Sequence, residues 1–238
     1  MGRIFETRKY KMFARWAKTA KAFTKLGKEI AIAVKMSGAD PAGNPRLRMA
    51  IQTARALNMP KDRIEAAIHR ASSKDEASLA EITYEGYGPN GVAIIVETAT
   101  NNPTRTVANV RSIFTSNGGA IGSSGSLDYL FVRRGVFAIS QPSGNMDEFE
   151  LDLIDHGLED IFESEQGLIL YSSFENFGAL QRALEAKKVE IKSAALQRFP
   201  QNTVAVSKEV EAKIEEFVSE LEEDDDVQHV YHNLKTEN

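Results

Sequence analysis

The spacing of apolar residues changes twice along the chain, and each change marks an architectural boundary. Across residues 12–36, Phe13, Trp16, Ala20, Phe23, Ile30 and Val34 recur every three or four positions. This is the pattern of a helix with one apolar ridge, or of two short helices in line. Lys18, Lys21, Lys25, Lys28 and Lys35 recur at the same spacing about half a turn away, so the pattern puts them on the opposite face. Gly27 falls on the ridge and marks a break or a close helix contact. After a breaker-rich loop, residues 45–57 predict a second helix with Leu47, Ile51, Ala54 and Leu57 inward. Its polar members are Arg46, Arg48 and Arg55. Pro60 opens a third helix, with Ile64, Ala67, Ile68 and Ala71 inward. Residues 72–80 read as a linker.

From residue 82 the elements become mixed. Ile82 and Tyr84 suit a strand, and Val92 to Val96 form an apolar run suited to a strand covered on both faces. Gly88-Pro89-Asn90-Gly91 between them supplies the turn chemistry of a hairpin. Asn102-Pro103 caps a helix over 103–117, with Val107, Val110, Ile113 and Phe114 inward and a glycine stop. GGAIGSSGS, 118–126, reads as a flexible connection to a strand at Leu127 to Val132. It follows a helix and precedes a strand, the reverse of a phosphate-binding loop. Residues 135–199 then give strand, helix, strand, strand, helix, strand, the split-βαβ or ferredoxin-like order. The tail from Gln201 offers a short strand, a helix over 208–222 and a strand near 227–232.

The central unit lacks a second helix, so the tail is expected to return and complete it. The expected class is α+β. An N-terminal three-helix domain (1–78) precedes two small α/β sandwich-type, ferredoxin-like domains. The first of these is discontinuous (79–134 plus 200–238), and the second (135–199) is inserted in it.

Several stretches together resemble the YebC/PmpR family. They are GADPAGNPRLRMAI (38–51), NMPKDRIEAAI (58–68), ITYEGYGPNGVAIIVETATNN (82–102), NPTRTVANVRSIFTSNGGAIGSSGSLDYLF (102–131) and PQNTVAVS (200–207). The resemblance covers residues 20 to 238, and several long motifs in one order make it specific. The start departs from it. The family opens with a Gly-His-Ser-Lys-Trp segment, whereas this chain reads MGRIFETRKYKMFARW, without histidine and with Trp16 displaced. The resemblance implies a DNA-binding transcriptional regulator. Some family members instead act in translation, as mitochondrial translational activators or as factors that relieve stalling on proline-rich nascent chains.

Composition narrows the function classes. The chain has 238 residues and no cysteine, so no disulfide, thiolate nucleophile or zinc–thiolate site can form. No apolar run approaches membrane-spanning length. The basic start lacks the apolar core of a signal peptide, so a cytoplasmic protein without a membrane partner is expected. The net charge of −5 conceals a division. Residues 1–75 hold 17 Lys/Arg against 6 Asp/Glu, a charge of +11, and the remaining chain holds 12 against 28, a charge of −16. Such polarity predicts that the basic third meets a polyanion. The expected phosphate contacts are Arg15, Lys18, Lys21, Lys25, Lys28, Arg46, Arg48 and Arg55. No helix-turn-helix signature accompanies them, which argues against base reading. The acidic domains are the expected surface for a protein partner.

Catalytic motifs are missing. Of the four histidines, His229 and His232 stand three apart on a strand and so face opposite sides, which does not suit a shared metal. The run Glu222 to Asp226 reads as a solvated helix end and lacks the alternating ligands of a calcium loop. No Ser-His-Asp elbow, Walker loop or paired-carboxylate motif is present. A non-enzymatic nucleic-acid-binding protein is expected, without cofactor or metal. DNA is the first target, ribosomal RNA the alternative, and a scaffold for an acidic protein partner the background reading.

Overall fold

Residues 19–37 form one continuous helix, α1 (Thr19–Ser37), in the computed structural model, which describes residues 19–73, 78–165 and 167–235. Gly27 does not break it: a Cβ placed there would meet nothing within 4 Å. Arg15 and Lys18, with Phe13 and Trp16, lie outside the described residues. Helix α2 (Pro45–Ala56) starts where Asn44 accepts a hydrogen bond from the Leu47 N–H. The Asn44 amide also donates to the carbonyls of Ala33 and Gly38, so this buried side chain ties the second helix to the end of the first. Helix α3 (Lys61–Ser72) follows Pro60. Leu26, Ile30, Leu47, Ile51, Ala54 and Ile64 form the core of this bundle.

Strands β1 (Ala80–Tyr87) and β2 (Ala93–Thr100) pair antiparallel. A tight turn at Pro89–Gly91 joins them, with Asn90 at φ 57° and Gly91 at φ 73°. Helix α4 (Pro103–Ser116) is capped by Asn102, whose side chain accepts from the Arg105 N–H. The short β3 (Ala120–Ile121) pairs with β1. Much later in the chain come α7 (Lys208–Glu223) and β8 (Val227–His232), and β8 pairs antiparallel with β2. The first sheet therefore has the order β3-β1-β2-β8. On one of its faces Ile94, Val96, Val110, Phe114, Phe217 and Leu221 pack together, with the Phe114 and Phe217 rings edge to face at 4.9 Å. On the other, Ala93 and Ile95 pack on Leu127 and Phe131. Covering on both faces explains why β2 is apolar at consecutive positions.

The second sheet contains β4 (Phe131–Ile139), β5 (Leu158–Ser164), β6 (Gly167–Ser173) and β7 (Ile191–Pro200), in the order β5-β6-β4-β7 and antiparallel throughout. Helices α5 (Met146–Ile154) and α6 (Phe177–Ala186) supply Leu153, Leu180 and Leu184 to a core with Phe137 and Leu168. The described residues thus form the α+β fold expected: three N-terminal helices, then two four-stranded sheets with their helices.

Two local expectations change. The strand expected from Leu127 begins only at Phe131, because Asp128–Leu130 form a single 3-10 turn. The connection before it is also pinned rather than loose. The Glu85 carboxylate, 3% exposed, accepts from the N–H groups of Gly125 (2.8 Å) and Leu127 (2.7 Å). The Glu85 carbonyl accepts from Gly122. A strand residue some forty positions upstream therefore sets the shape of the glycine-rich turn.

Candidate nucleic-acid interface

The part of the lysine face of α1 that carries Lys21, Lys25 and Lys28 does not stand free in solvent. It lies against the C-terminal turn of α7 and the start of β8. Lys21 Nζ donates to the Glu223 carbonyl at 3.2 Å, with the Glu223 carboxylate 4.0 Å away. Lys25 Nζ donates to the Gln228 carbonyl at 3.4 Å. Lys28 Nζ donates to the carbonyls of Ala99 (3.0 Å) and Asp225 (2.7 Å) and to Asp226 Oδ1 (2.7 Å). Helix periodicity separates the two faces of α1 correctly, but it carries no record of a second domain on the polar one. Carbonyls at a helix C-terminus lack intrahelical donors and carry partial negative charge, so ammonium groups are natural partners for them. Burial lowers the Lys25 pKa, partly offset by Glu222 and Asp225. The fifth member of the stripe, Lys35, donates to the Ser73 carbonyl at 2.9 Å.

The acidic run at the end of α7 is not simply a solvated helix end either. Asp226 is 5% exposed. Its carboxylate accepts from Lys28, from Arg105 Nη2 (2.7 Å) and from the hydroxyls of Thr100 (3.0 Å) and Thr106 (2.8 Å). Burial works against its charge, but the hydrogen bonds from Lys28, Arg105 and Thr106 outweigh it and hold the carboxyl well below the usual carboxylate range. Nearby on β8, His229 is desolvated. Burial lowers its pKa, Lys25 pushes the same way, and Glu97 and Glu29 oppose. The Glu97 carboxylate in turn accepts from Arg198 Nε at 2.8 Å, a pairing between β2 and β7 that links the two sheets.

The arginines of α2 divide. Arg46 forks between two carboxylates, Glu29 (2.8 Å) and Glu81 (2.7 Å), and so joins the bundle to β1. Arg48 pairs with Glu185 of α6 at 3.2 Å and donates to the Pro41 carbonyl. Arg55 is exposed. Helix α3 adds exposed cations absent from the sequence-derived set: Lys61, Arg63 and Arg70, with Arg63 lying 6.0 Å over the Phe23 ring. Arg63 and Arg70 are seven residues apart and share one helix face, a spacing that was readable in the chain. The structure thus brings Lys21, Lys25 and Lys28 together at one internal contact, places Arg46 and Arg48 at two others, and leaves Arg55 on the surface.

Fold and charge define a class: a basic three-helix unit set against an acidic body of two small antiparallel sheets. Residues 3–74 match the TACO1/YebC protein N-terminal domain, and residues 79–234 match the TACO1/YebC second and third domain. The chain belongs to the TACO1/YebC family. It is 53% identical to a protein of Anaeromyxobacter dehalogenans over 98% of this chain and all of that one. It is 50% identical to one of Campylobacter concisus over 99% of this chain and all of that one. Both bear the name "Probable transcriptional regulatory protein". The crystal structure of a conserved hypothetical protein from Aquifex aeolicus superposes with a TM-score of 0.78 at 37% identity, covering 92% of each chain. Among the described residues, no helix is long and apolar enough to cross a membrane.

Proposed function

We propose that this chain is a non-enzymatic, cytoplasmic regulator of transcription that binds DNA through phosphate contacts of its N-terminal helical domain. The observation that carries the reading is the charge division, +11 in residues 1–75 against −16 in the rest. A basic unit on an acidic body touches a polyanion with one end and keeps the other away from it. Relatives with about half their residues identical are named as transcriptional regulators, in agreement with the reading. Lys21, Lys25, Lys28 and Arg55, with Arg15 and Lys18, are the proposed phosphate contacts, and Arg63 and Arg70 join them. Arg46 and Arg48 contribute only in competition with Glu29, Glu81 and Glu185. Phosphate contacts position a protein without reading bases, so discrimination among duplexes of equal length is modest. The acidic domains remain the proposed surface for a protein partner. The test is crosslinking in cells followed by sequencing of the bound nucleic acid. Recovered promoter DNA supports the proposal, and recovered ribosomal RNA overturns it in favour of a role in translation.

A further inference from the structure

The charged contact between α1 and α7 has a consequence for that reading, and the inference rests on it. We infer that residues 223–228 of the chain occupy the phosphate-binding face of α1, so that DNA and this acidic turn compete for the same three ammonium groups. Among the described residues, the acceptors on Lys21, Lys25 and Lys28 are carbonyl or carboxylate oxygens, the type of group a phosphate oxygen replaces.

The two sides of the contact differ in how firmly they are held. Asp226 keeps Arg105, Thr100 and Thr106 as donors when Lys28 leaves, so the acidic side stays satisfied and in place. The lysines reach their carbonyls on flexible stems, and the Lys21 and Lys25 bonds are long, at 3.2 and 3.4 Å. The lysine side is therefore the one that detaches.

A second attachment of the helical domain is of another kind. Met49 of α2 is 5% exposed and packs into the core of the second sheet, where α2 lies against β7. Apolar burial is insensitive to competing anions, whereas the α1 contact is ionic. The bundle, held together by its own core, swings about α2, where Met49 and the Arg48–Glu185 pair stay engaged while the ionic Arg46–Glu81 pair parts, and presents the lysines. Occupied lysines then act as a conformational tax: the apparent affinity for DNA falls by the fraction of molecules in the open form.

The absence of native cysteine permits a direct test. The full chain carrying Lys21→Cys and Glu223→Cys is joined across the contact with a disulfide-containing bis-maleimide, and its binding to a short mixed-sequence DNA duplex is measured before and after reduction. The joined form should bind at least about tenfold more weakly than the same protein after reduction, and its dependence of affinity on salt should be shallower by about two units, one for each of Lys25 and Lys28. In an uncrosslinked chain, Glu222→Gln, Glu223→Gln and Asp225→Asn together should tighten binding several-fold by weakening the competitor. Equal affinity of the joined and reduced forms overturns the inference, while binding by the unmodified chain leaves the proposed function standing. If the unmodified chain does not bind DNA either, both fall.

Discussion

Asp226 and Glu85 are single carboxylates whose roles depend on residues far away in sequence. Asp226 closes a run of five acidic residues, yet it alone of that run is buried with four donors around it. Replacing it with alanine takes the shared carboxylate from Arg105, Thr100 and Thr106 in a partly buried site and leaves the Lys28 ammonium with only the carbonyls of Ala99 and Asp225. The expected loss is about 2–4 kcal/mol, at the lower end for breaking a buried pair because Arg105 is half exposed, and urea unfolding at neutral pH measures it. The folded pKa of Asp226 lies below its unfolded value, so its contribution is complete above about pH 4 and is lost as pH falls through the depressed folded value. The Asp226→Asn chain should therefore lose stability less steeply than the parent below about pH 4 in acid titrations followed by circular dichroism. Glu85→Ala should cost about 2–4 kcal/mol by leaving the Gly125 and Leu127 N–H groups without their acceptor, with the largest rise in amide exchange at residues 122–127. Neither role was legible in the sequence. A carboxylate in an acidic run and one in a strand look alike whether their donors arrive from a hundred residues away or not at all.

Secondary elements were mostly legible where local chemistry alone decides them. The turn at Gly88–Gly91, the Asn102 cap before Pro103 and the apolar first half of β2 each follow from side chains within a few residues. Glycines were harder to read, because what matters is the space around them. Gly27 stands in the interior of α1 with nothing within 4 Å of a Cβ, so Gly27→Ala should stabilise the helical domain by about 0.5–1 kcal/mol. Gly86 in β1 is the opposite case, since a Cβ there would run into the Ala120 carbonyl oxygen and the Phe114 ring. Gly86→Ala should cost about 1–3 kcal/mol by forcing β3 and α4 outward. Thermal unfolding of the two single variants beside the parent gives both signs in one experiment, and a shift of the same sign in both would contradict the packing described. Gly27 reads in the sequence as a break or a close helix contact and is neither, for the same reason that Gly86 stays unremarked there: a pattern of spacings contains no neighbours.

At the scale of the molecule, the sequence shows a basic third and an acidic remainder but not that they touch. The contact joins three separately built cores: Lys28 with Asp226 joins bundle to first sheet, Arg48 with Glu185 joins bundle to second sheet, and Arg198 with Glu97 joins the sheets. Among the described residues, Met49 is the one buried apolar member of the bundle that sits in another core. Met49→Ala should destabilise by about 2–4 kcal/mol and should split calorimetric unfolding into two transitions, the helical domain melting first. A single undivided transition would mean that the ionic contacts alone keep the domains cooperative. The pairing of β8 with β2 bears on something outside equilibrium. Ala93 donates to the side chain of Asn233 across 140 positions, so β2 is made early and its outer edge is paired only once residues 227–233 have appeared. A growing chain therefore carries an open, hydrophobic strand edge while more than a hundred further residues are made, with the second sheet complete before the first, and it is in that interval that it is most exposed to misassembly with its neighbours.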